Sequence, residues 1–533
     1  KVCSDKIKHG RKESTQKGRG IKMEHILTML EVSQKQSYIF SSNKLKDNIT
    51  NSAVIAWIMS PEYFQKTVND EKIFDMEKNL VYSGGGHIVL EFKETAQAVE
   101  FVKRVTYQIH KDYAGIDVFA VVEPYDSDNL GECLKDLTDK LELKKSRRLA
   151  AFHQGTFGVE KINSTTLKPE CCENKCEMPK QEEKTDRELS PQDYERAMKF
   201  EDLGGSRNES NFIAVVHIDG NAMGKRVEAL YTQNKNASWE DYKKKLRNFS
   251  SSIDSDFKEA YRDMTDEVCK NIENGNLKTL NIKKFPVRRI ITAGDDICFV
   301  TEGRIGIECA VSFIRALGKK INSEDKTGYA ACGGIAVVHQ KYPFYKAYEL
   351  AEMLCSNAKK FGASLSEDGT GRDISAIDWH IEFGEIKDTL EEIRQDYQTL
   401  DGKRMELRPY IVSASDKIMK KETIRRYENF KKLILAIQDE KIAYARGKMK
   451  ELRTVLKEGE TASASFTKFN KLDEIALEGY QGIYKEVSTD KIASGQGLER
   501  KLFVRTQDNV ERAAIFDALE AWDTYIGFEE AEQ

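Results

Sequence analysis

Two stretches of this chain carry the same order of patterned segments, and that repetition limits the possible folds more than any single motif does. From His25 to Tyr125, a strand-like run His25–Val32 is followed by helical spacing over Asn43–Met59. Two short strand candidates, Leu80–Ser83 and His87–Phe92, then flank Gly84-Gly85-Gly86. An amphipathic helix Thr95–His110 carries Ala98, Val99, Phe101, Val102, Val105 and Ile109 on one side; a strand Asp117–Val122 and a helix Leu130–Leu149 complete the unit. From Asn211 to His380 the order returns: strand Phe212–Asp219, a long helical stretch, strands Val287–Thr292 and Ile297–Val300 around Ala293-Gly294-Asp295-Asp296, helix Ile305–Ile321 and strand Cys332–His339. A helix Tyr345–Lys360 and a strand Ile374–His380 close it. Two copies of one order point to an internal duplication. The β-α-β-β-α-β order predicts an α+β fold with two ferredoxin-like palm domains, each an antiparallel sheet with helices packed on one face.

At 533 residues the chain exceeds one hydrophobic core. We divide it into a basic tail or leader (1–22), a first palm (23–150), a polar cysteine-containing insert (151–208), a second palm (209–382) and a helical C-terminal domain (383–533). In the last, Lys420–Lys457 reads as a long charged helix or helix pair and Asn509–Tyr525 as an amphipathic helix. No apolar run approaches the roughly 18 residues of a membrane helix, and the basic N-terminus is no secretory signal. Cysteines such as Cys298, Cys309, Cys332 and Cys355 sit in apolar patterns, as buried thiols of a reducing, cytoplasmic compartment do. The formal net charge of −4 argues against a surface built wholly for nucleic acid.

The chemistry concentrates in the second copy. Asp219 ends a strand, and Asp295 and Asp296 lie in the turn of a hairpin; pairing of that hairpin beside the Asp219 strand gathers three carboxylates at one sheet edge. Such crowding is costly unless cations relieve it. Mg²⁺ or Mn²⁺ suits carboxylate oxygens plus phosphates, and two ions so placed serve an in-line displacement at phosphorus. Gly294 allows the turn, while Gly220 and Gly224 leave backbone open to a triphosphate at a helix start. Each part alone has an ordinary explanation, a helix cap or a hairpin turn; the combination within a palm order is what points to metal.

These residues resemble the active palm of the large polymerase/cyclase subunit of type III CRISPR effector complexes, a relative of GGDEF diguanylate cyclases. The family turn is Gly-Gly-Asp-Asp and its strand end Asp-Gly-Asp-x-Met-Gly-Lys. Here Ala293 replaces the first glycine, and in Asp219-Gly220-Asn221-Ala222-Met223-Gly224-Lys225 the second acid is Asn221, which offers a carbonyl oxygen without the charge. The helix from Tyr348 to Lys359 resembles the family helix whose lysine meets the triphosphate, and Arg408-Pro409-Tyr410 resembles a segment that follows the palm. The first copy resembles the inactive palm: Ser83-Gly84-Gly85-Gly86-His87 keeps the glycines, lacks acids and suits a second nucleotide.

The resemblance implies synthesis of cyclic oligoadenylates from ATP in antiviral signalling. Asp219, Asp295 and Asp296 would be catalytic and metal-binding. Gly220, Asn221, Gly224, Lys225, Gly294, Lys359, Ser83, Gly84 and Gly85 would bind nucleotide. Mg²⁺ or Mn²⁺ would be the cofactor, and an RNA-guided effector complex or RNA activator a partner. No His-Asp dipeptide occurs, so HD-type nuclease activity is not expected. Cys171, Cys172 and Cys176 fall one ligand short of a zinc site, with His153 as the available fourth; a linker with incidental thiols is the default. The competing readings are a nucleotide-binding or scaffold module without turnover, and a GTP-using diguanylate cyclase.

Overall fold

The computed structural model describes residues 25–84, 86–113, 115–126, 129–147, 159, 161, 178–203, 211–280, 282–384, 387–422, 424–438, 446–472 and 502–529. The first repeat comprises β1 (His25–Ser33), α1 (Lys35–Ile39), α2 (Leu45–Ile58), α3 (Pro61–Val68), α4 (Met76–Asn79), β2 (Leu80–Gly84), β3 (His87–Phe92), α5 (Thr95–Asp112), β4 (Asp117–Tyr125) and α6 (Leu130–Ser146). Its strands form an antiparallel sheet in the order β2-β3-β1-β4.

Within the expected insert lies α7 (Lys180–Glu188). Its buried Asp186 receives a two-pronged ion pair from Arg288 at 2.7 and 2.8 Å, which ties the helix to the second repeat. That repeat runs β5 (Phe212–Gly220), α8 (Met223–Gln233), α9 (Trp239–Glu273), β6 (Val287–Ala293), β7 (Asp296–Glu302), α10 (Gly306–Gly318), β8 (Ala331–His339), α11 (Phe344–Leu365), β9 (Ser375–Ile381), α12 (Leu390–Gln395) and β10 (Tyr410–Ser413). Its six-stranded sheet has the order β10-β9-β8-β5-β7-β6. The four strands β6-β7-β5-β8 reproduce β2-β3-β1-β4, so the repeat read in the sequence is a repeat of topology. Crossover through α11 makes β9 parallel to β8, and the second sheet is therefore mixed.

One expectation is corrected: helices cover both faces of each sheet. In β5, Ile213 and Val215 pack with Tyr348 and Leu354 of α11, whereas Ala214, Val216 and Ile218 pack with Phe257 of α9 and Phe313 of α10. The unbroken run Ile213-Ala-Val-Val216 is the pattern of a strand buried on both sides, not of a sheet with a wet face. In the first repeat α5 lies on one face and α6 with α9 on the other.

The 35-residue α9 joins the repeats. Its apolar stripe Leu246, Phe249, Ile253, Phe257, Ala260, Met264 follows helical spacing, and Ser238 caps its start by accepting from the Asp241 amide. Near its N-terminus Lys243 binds Glu91 at 2.8 Å, and farther along Phe257 enters the second core. Phe40 from the first repeat packs against Tyr348, with ring centroids 4.2 Å apart and the planes tilted by 36°. The two palms thus share packed side chains, each fully buried one contributing about 1.5–3 kcal/mol before entropy is counted.

The C-terminal part is less uniformly helical than expected. Strand β10 extends the palm sheet. The charged stretch breaks into α13 (Asp416–Lys421), α14 (Tyr427–Gln438) and α15 (Arg446–Val455), followed by α16 (Glu460–Phe469). In place of a helix over Asn509–Tyr525 stand a hairpin, β11 (Phe503–Arg505) with β12 (Glu511–Ala513), and a short α17 (Phe516–Ala521). Asp508-Asn509 is a turn pair, with Asn509 at φ 64°, and it overrode the apolar spacing. Arg408 anchors this part to the palm: fully buried, it pairs with Glu520 at 2.6 Å and lies over the Trp379 ring.

Candidate active site

Strands β6 and β7 meet in the two-residue turn Gly294-Asp295, closed by the Ala293–Asp296 pair. Gly294 has φ 66° and Asp295 does not share a positive φ, so the turn needs glycine at its first position. On the other side of β7, Asp296 pairs in register with Asp219 of β5, and the Gly220 amide donates to Asp295 O at 3.0 Å. The three aspartates therefore meet at one sheet edge.

That edge is electrostatically strained. Burial, then the Asp219 charge, raise Asp295 to about 6. The same two causes, in the same order, raise Asp296 to about 7. Asp296 keeps 37% of its side-chain surface open, yet its Oδ1 is buried without a hydrogen-bond partner. His217 Nδ1, also buried and unpartnered, lies 3.3 Å from that oxygen. Burial pushes the His217 imidazole down, which favours its neutral form. Lys359 of α11 reaches across to Asp219 Oδ2 at 2.6 Å and Gly220 O at 3.1 Å.

The remaining expected residues divide. A Cβ on Gly220 would lie 2.7 Å from Met223 Cε and 3.1 Å from Asp295 Cβ, so this glycine lets β5 pack against the acidic turn. Around Gly224 a Cβ meets nothing within 4 Å, and Lys225 is exposed beside it in the first turn of α8. Asn221 is not turned outward as a replacement acid: its Nδ2 donates to Gly371 O at 3.1 Å and Ile374 O at 2.7 Å, stapling the end of β5 to the loop before β9. Its Oδ1 is buried and unpartnered.

The first palm presents its own turn to the same space. A cleft of about 1060 Å³ is lined by Ser83, Gly84 and Gly86 on one wall and by Ala293, Gly294, Asp295 and Asp296 on another. Ser83 O accepts from Ser250 Oγ at 2.5 Å, and a Cβ on Gly84 would sit 2.8 Å from that hydroxyl. Gly85 lies outside the described residues, as do Cys171, Cys172, Cys176 and His153.

Register makes the two palms comparable position by position. Glu31 pairs with His87 as Asp219 pairs with Asp296, and Gly84 closes its turn with His87 as Ala293 does with Asp296. Glu31 thus occupies the place of Asp219, but it is bound by Lys145 at 3.0 Å and Lys35 at 3.4 Å. His87 stands in the place of Asp296, lowered to about 4 by burial. Sequence reasoning missed Lys35 and Lys145, which flank a conspicuous glycine turn only once the strands are paired.

Among the described residues no three His, Cys, Asp or Glu side chains converge at ligand geometry. The donor chemistry nevertheless fits a hard divalent ion: crowded carboxylates with raised affinity for protons, an unpartnered Asp296 oxygen, and an ammonium held on Asp219. Withdrawal of Lys359 would free the third ligand.

Residues 212–364 match the family model described as Cas10/Cmr2, second palm domain. Among solved structures, the Csm1-Csm4 cassette in complex with cA4 aligns with a TM-score of 0.50 at 14% identity, over 82% of this chain and 63% of that one. The cassette in complex with pppApApA aligns at 0.50 and 16% identity, over 87% and 69%. At these identities the likeness is one of fold. This chain spans less than two thirds of the length of the first of these structures. No curated protein matches it. The family match is confined to the second repeat, and no helix among the described residues is long and apolar enough to cross a membrane.

Proposed function

We propose that the chain is a metal-dependent nucleotidyltransferase that joins ATP into a cyclic oligoadenylate-type signal. The observation that carries this reading is the shared cleft, in which the Asp295-Asp296 turn and the acid-free glycine turn of the first palm line the same space. Its volume, about 1060 Å³, reaches the upper end of the roughly 300–1,000 Å³ that holds one drug-sized ligand, which suits two nucleotides meeting end to end.

Asp219, Asp295 and Asp296 would hold two Mg²⁺ or Mn²⁺ ions, which when bound activate a 3′-hydroxyl and stabilise the leaving pyrophosphate. The chain's own residues do the rest. Lys359, released from Asp219, balances the triphosphate charge of the donor nucleotide. The open backbone around Gly224 and the exposed Lys225 offer further contacts at the start of α8. The second nucleotide lies against Ser83–Gly86, where Lys35 and Lys145 supply positive charge that the second palm would take from metal. Attack of the 3′-hydroxyl on the α-phosphate breaks the bond to pyrophosphate.

The cA4 and pppApApA complexes of the structurally similar Csm1-Csm4 cassette support the choice of adenylate chemistry; a role in antiviral defence within an RNA-guided effector complex is what the resemblance of the sequence motifs implies. Incubation with ATP and Mn²⁺, with products resolved by mass, tests the reading. Cyclic or linear oligoadenylates should form and vanish in Asp295→Ala/Asp296→Ala; products that persist in that variant would assign the activity elsewhere.

A second reading, nucleotide binding without turnover, is favoured by Asn221, whose amide is committed to backbone carbonyls. Calorimetric binding of ATP with no product under any activator would support it.

A further inference from the structure

The outer edge of the first palm, remote in sequence from the acidic turn, carries a second groove. Strand β4 is the edge of its sheet and, among the described residues, pairs only with β1. Helices α5 and α6, on opposite faces of the sheet, flank that edge and enclose a cavity of about 580 Å³. From α5 come Lys103, Tyr107 and His110, on the side opposite its core stripe Ala98, Phe101, Val105, Ile109. From α6 come Lys144 and Arg147.

The charge of this groove is one-sided. The charge of Lys103 acts on Glu100 one turn away without a close ion pair, and Asp117 is the sole acid among the lining residues, in a chain that is weakly acidic as a whole. The Tyr107 residue is 68% exposed, so the face of its ring is open to a planar partner. An exposed sheet edge ordinarily invites a partner strand. Here Lys144 donates to Ala120 O at 2.6 Å and occupies an acceptor that such a strand would need. Cations on both sides of an exposed aromatic ring, with Lys144 keeping two further N–H donors beyond its bond to Ala120 O, are instead the features that track a phosphate backbone and stack its bases.

We propose that this groove binds a single-stranded polynucleotide, with Lys103, Lys144 and Arg147 on phosphates and Tyr107 stacked on a base. The site is separate from the nucleotide cleft, and its test needs neither metal nor ATP.

Fluorescence anisotropy of labelled oligouridylate and oligothymidylate, with the full chain in EDTA, reads the binding directly and separates RNA from DNA. Three neutralised phosphates predict a slope of log affinity against log salt near about −2. Lys103→Glu/Lys144→Glu should weaken binding at least about tenfold and flatten that slope. Tyr107→Ala should cost about fivefold or more and Tyr107→Phe should restore it, because stacking needs the ring and not the hydroxyl. Circular dichroism and thermal melting confirm that each variant is folded. The proposal is overturned if neither polymer binds at low salt, if the charge reversals change affinity less than twofold, or if Lys35→Glu/Lys145→Glu weakens binding equally, which would put the strand in the cleft.

Discussion

Lys359 Nζ and Asp219 Oδ2 lie 2.6 Å apart, so in the ligand-free chain an ammonium sits on the carboxylate that ends β5. About a third of each side chain is exposed, at 32% and 36%, and a pair so wetted is worth about 1 kcal/mol or less. A contact this weak neutralises Asp219 yet yields to a divalent ion. Lysine and metal would therefore compete for Asp219 when no nucleotide is present and cooperate when a triphosphate gives the lysine another partner.

Replacing Lys359 with methionine should accordingly have opposite effects in two assays. Without nucleotide, Mn²⁺ binding followed by electron paramagnetic resonance should tighten, by up to about fivefold. With ATP, product formation should fall by at least about tenfold, because a triphosphate contact is lost. Weaker Mn²⁺ binding in the absence of nucleotide would show that the lysine assists the metal instead of displacing it.

The raised carboxyls set a pH dependence with a definite sign. Asp295 and Asp296 titrate near about 6 and about 7 in the folded chain, against an ordinary 3.8, so folding takes up protons between those values. Their contribution to stability is full below about 4 and is lost as pH rises through about 6 to 7. In EDTA the melting temperature should carry a falling component across that window, equivalent to about 1–2 kcal/mol once the partial exposure of Asp296 is discounted. Asp296→Asn should flatten it. Mn²⁺ affinity should run the other way and weaken below about pH 7, where protons compete for the same oxygens. A flat melting profile in EDTA would contradict the assignment.

Gly220, which ends β5, and Gly224, in the first turn of α8, should behave differently. Gly220→Ala forces a methyl against Met223 and Asp295, and should destabilise the chain by about 1–3 kcal/mol in urea titration and displace the acidic turn. Gly224→Ala meets nothing, so stability should hold or rise slightly with helix propensity. If phosphate approaches that backbone, the KM for ATP should rise in Gly224→Ala while the melting temperature does not fall.

Most of the strands, and the meeting of Asp219 with Asp295 and Asp296, were legible in the sequence, because apolar runs bounded by turn residues and a Gly-Asp pair are local signals. What was not legible depended on pairing. Lys35 and Lys145 stand out only when register places Glu31 in the position equivalent to Asp219, and Asn221 looks like an exposed substitute acid until the loop at Gly371–Ile374 folds over it. Helices on both faces could have been inferred from Ile213–Val216, whose unbroken apolarity leaves no side for water. The misread helix over Asn509–Tyr525 was a case of apolar spacing outweighing a turn pair that sat in plain view.

The most direct test of the metal-centred account is a crystal soaked with ATP and Mn²⁺, with the ions located by anomalous scattering. The account predicts Mn²⁺ held among Asp219, Asp295 and Asp296, Lys359 moved from Asp219 onto a triphosphate, and a second nucleotide against the Ser83-Gly84 turn. Nucleotide bound in the cleft with Lys359 still on Asp219 and no ion among the three aspartates would contradict it.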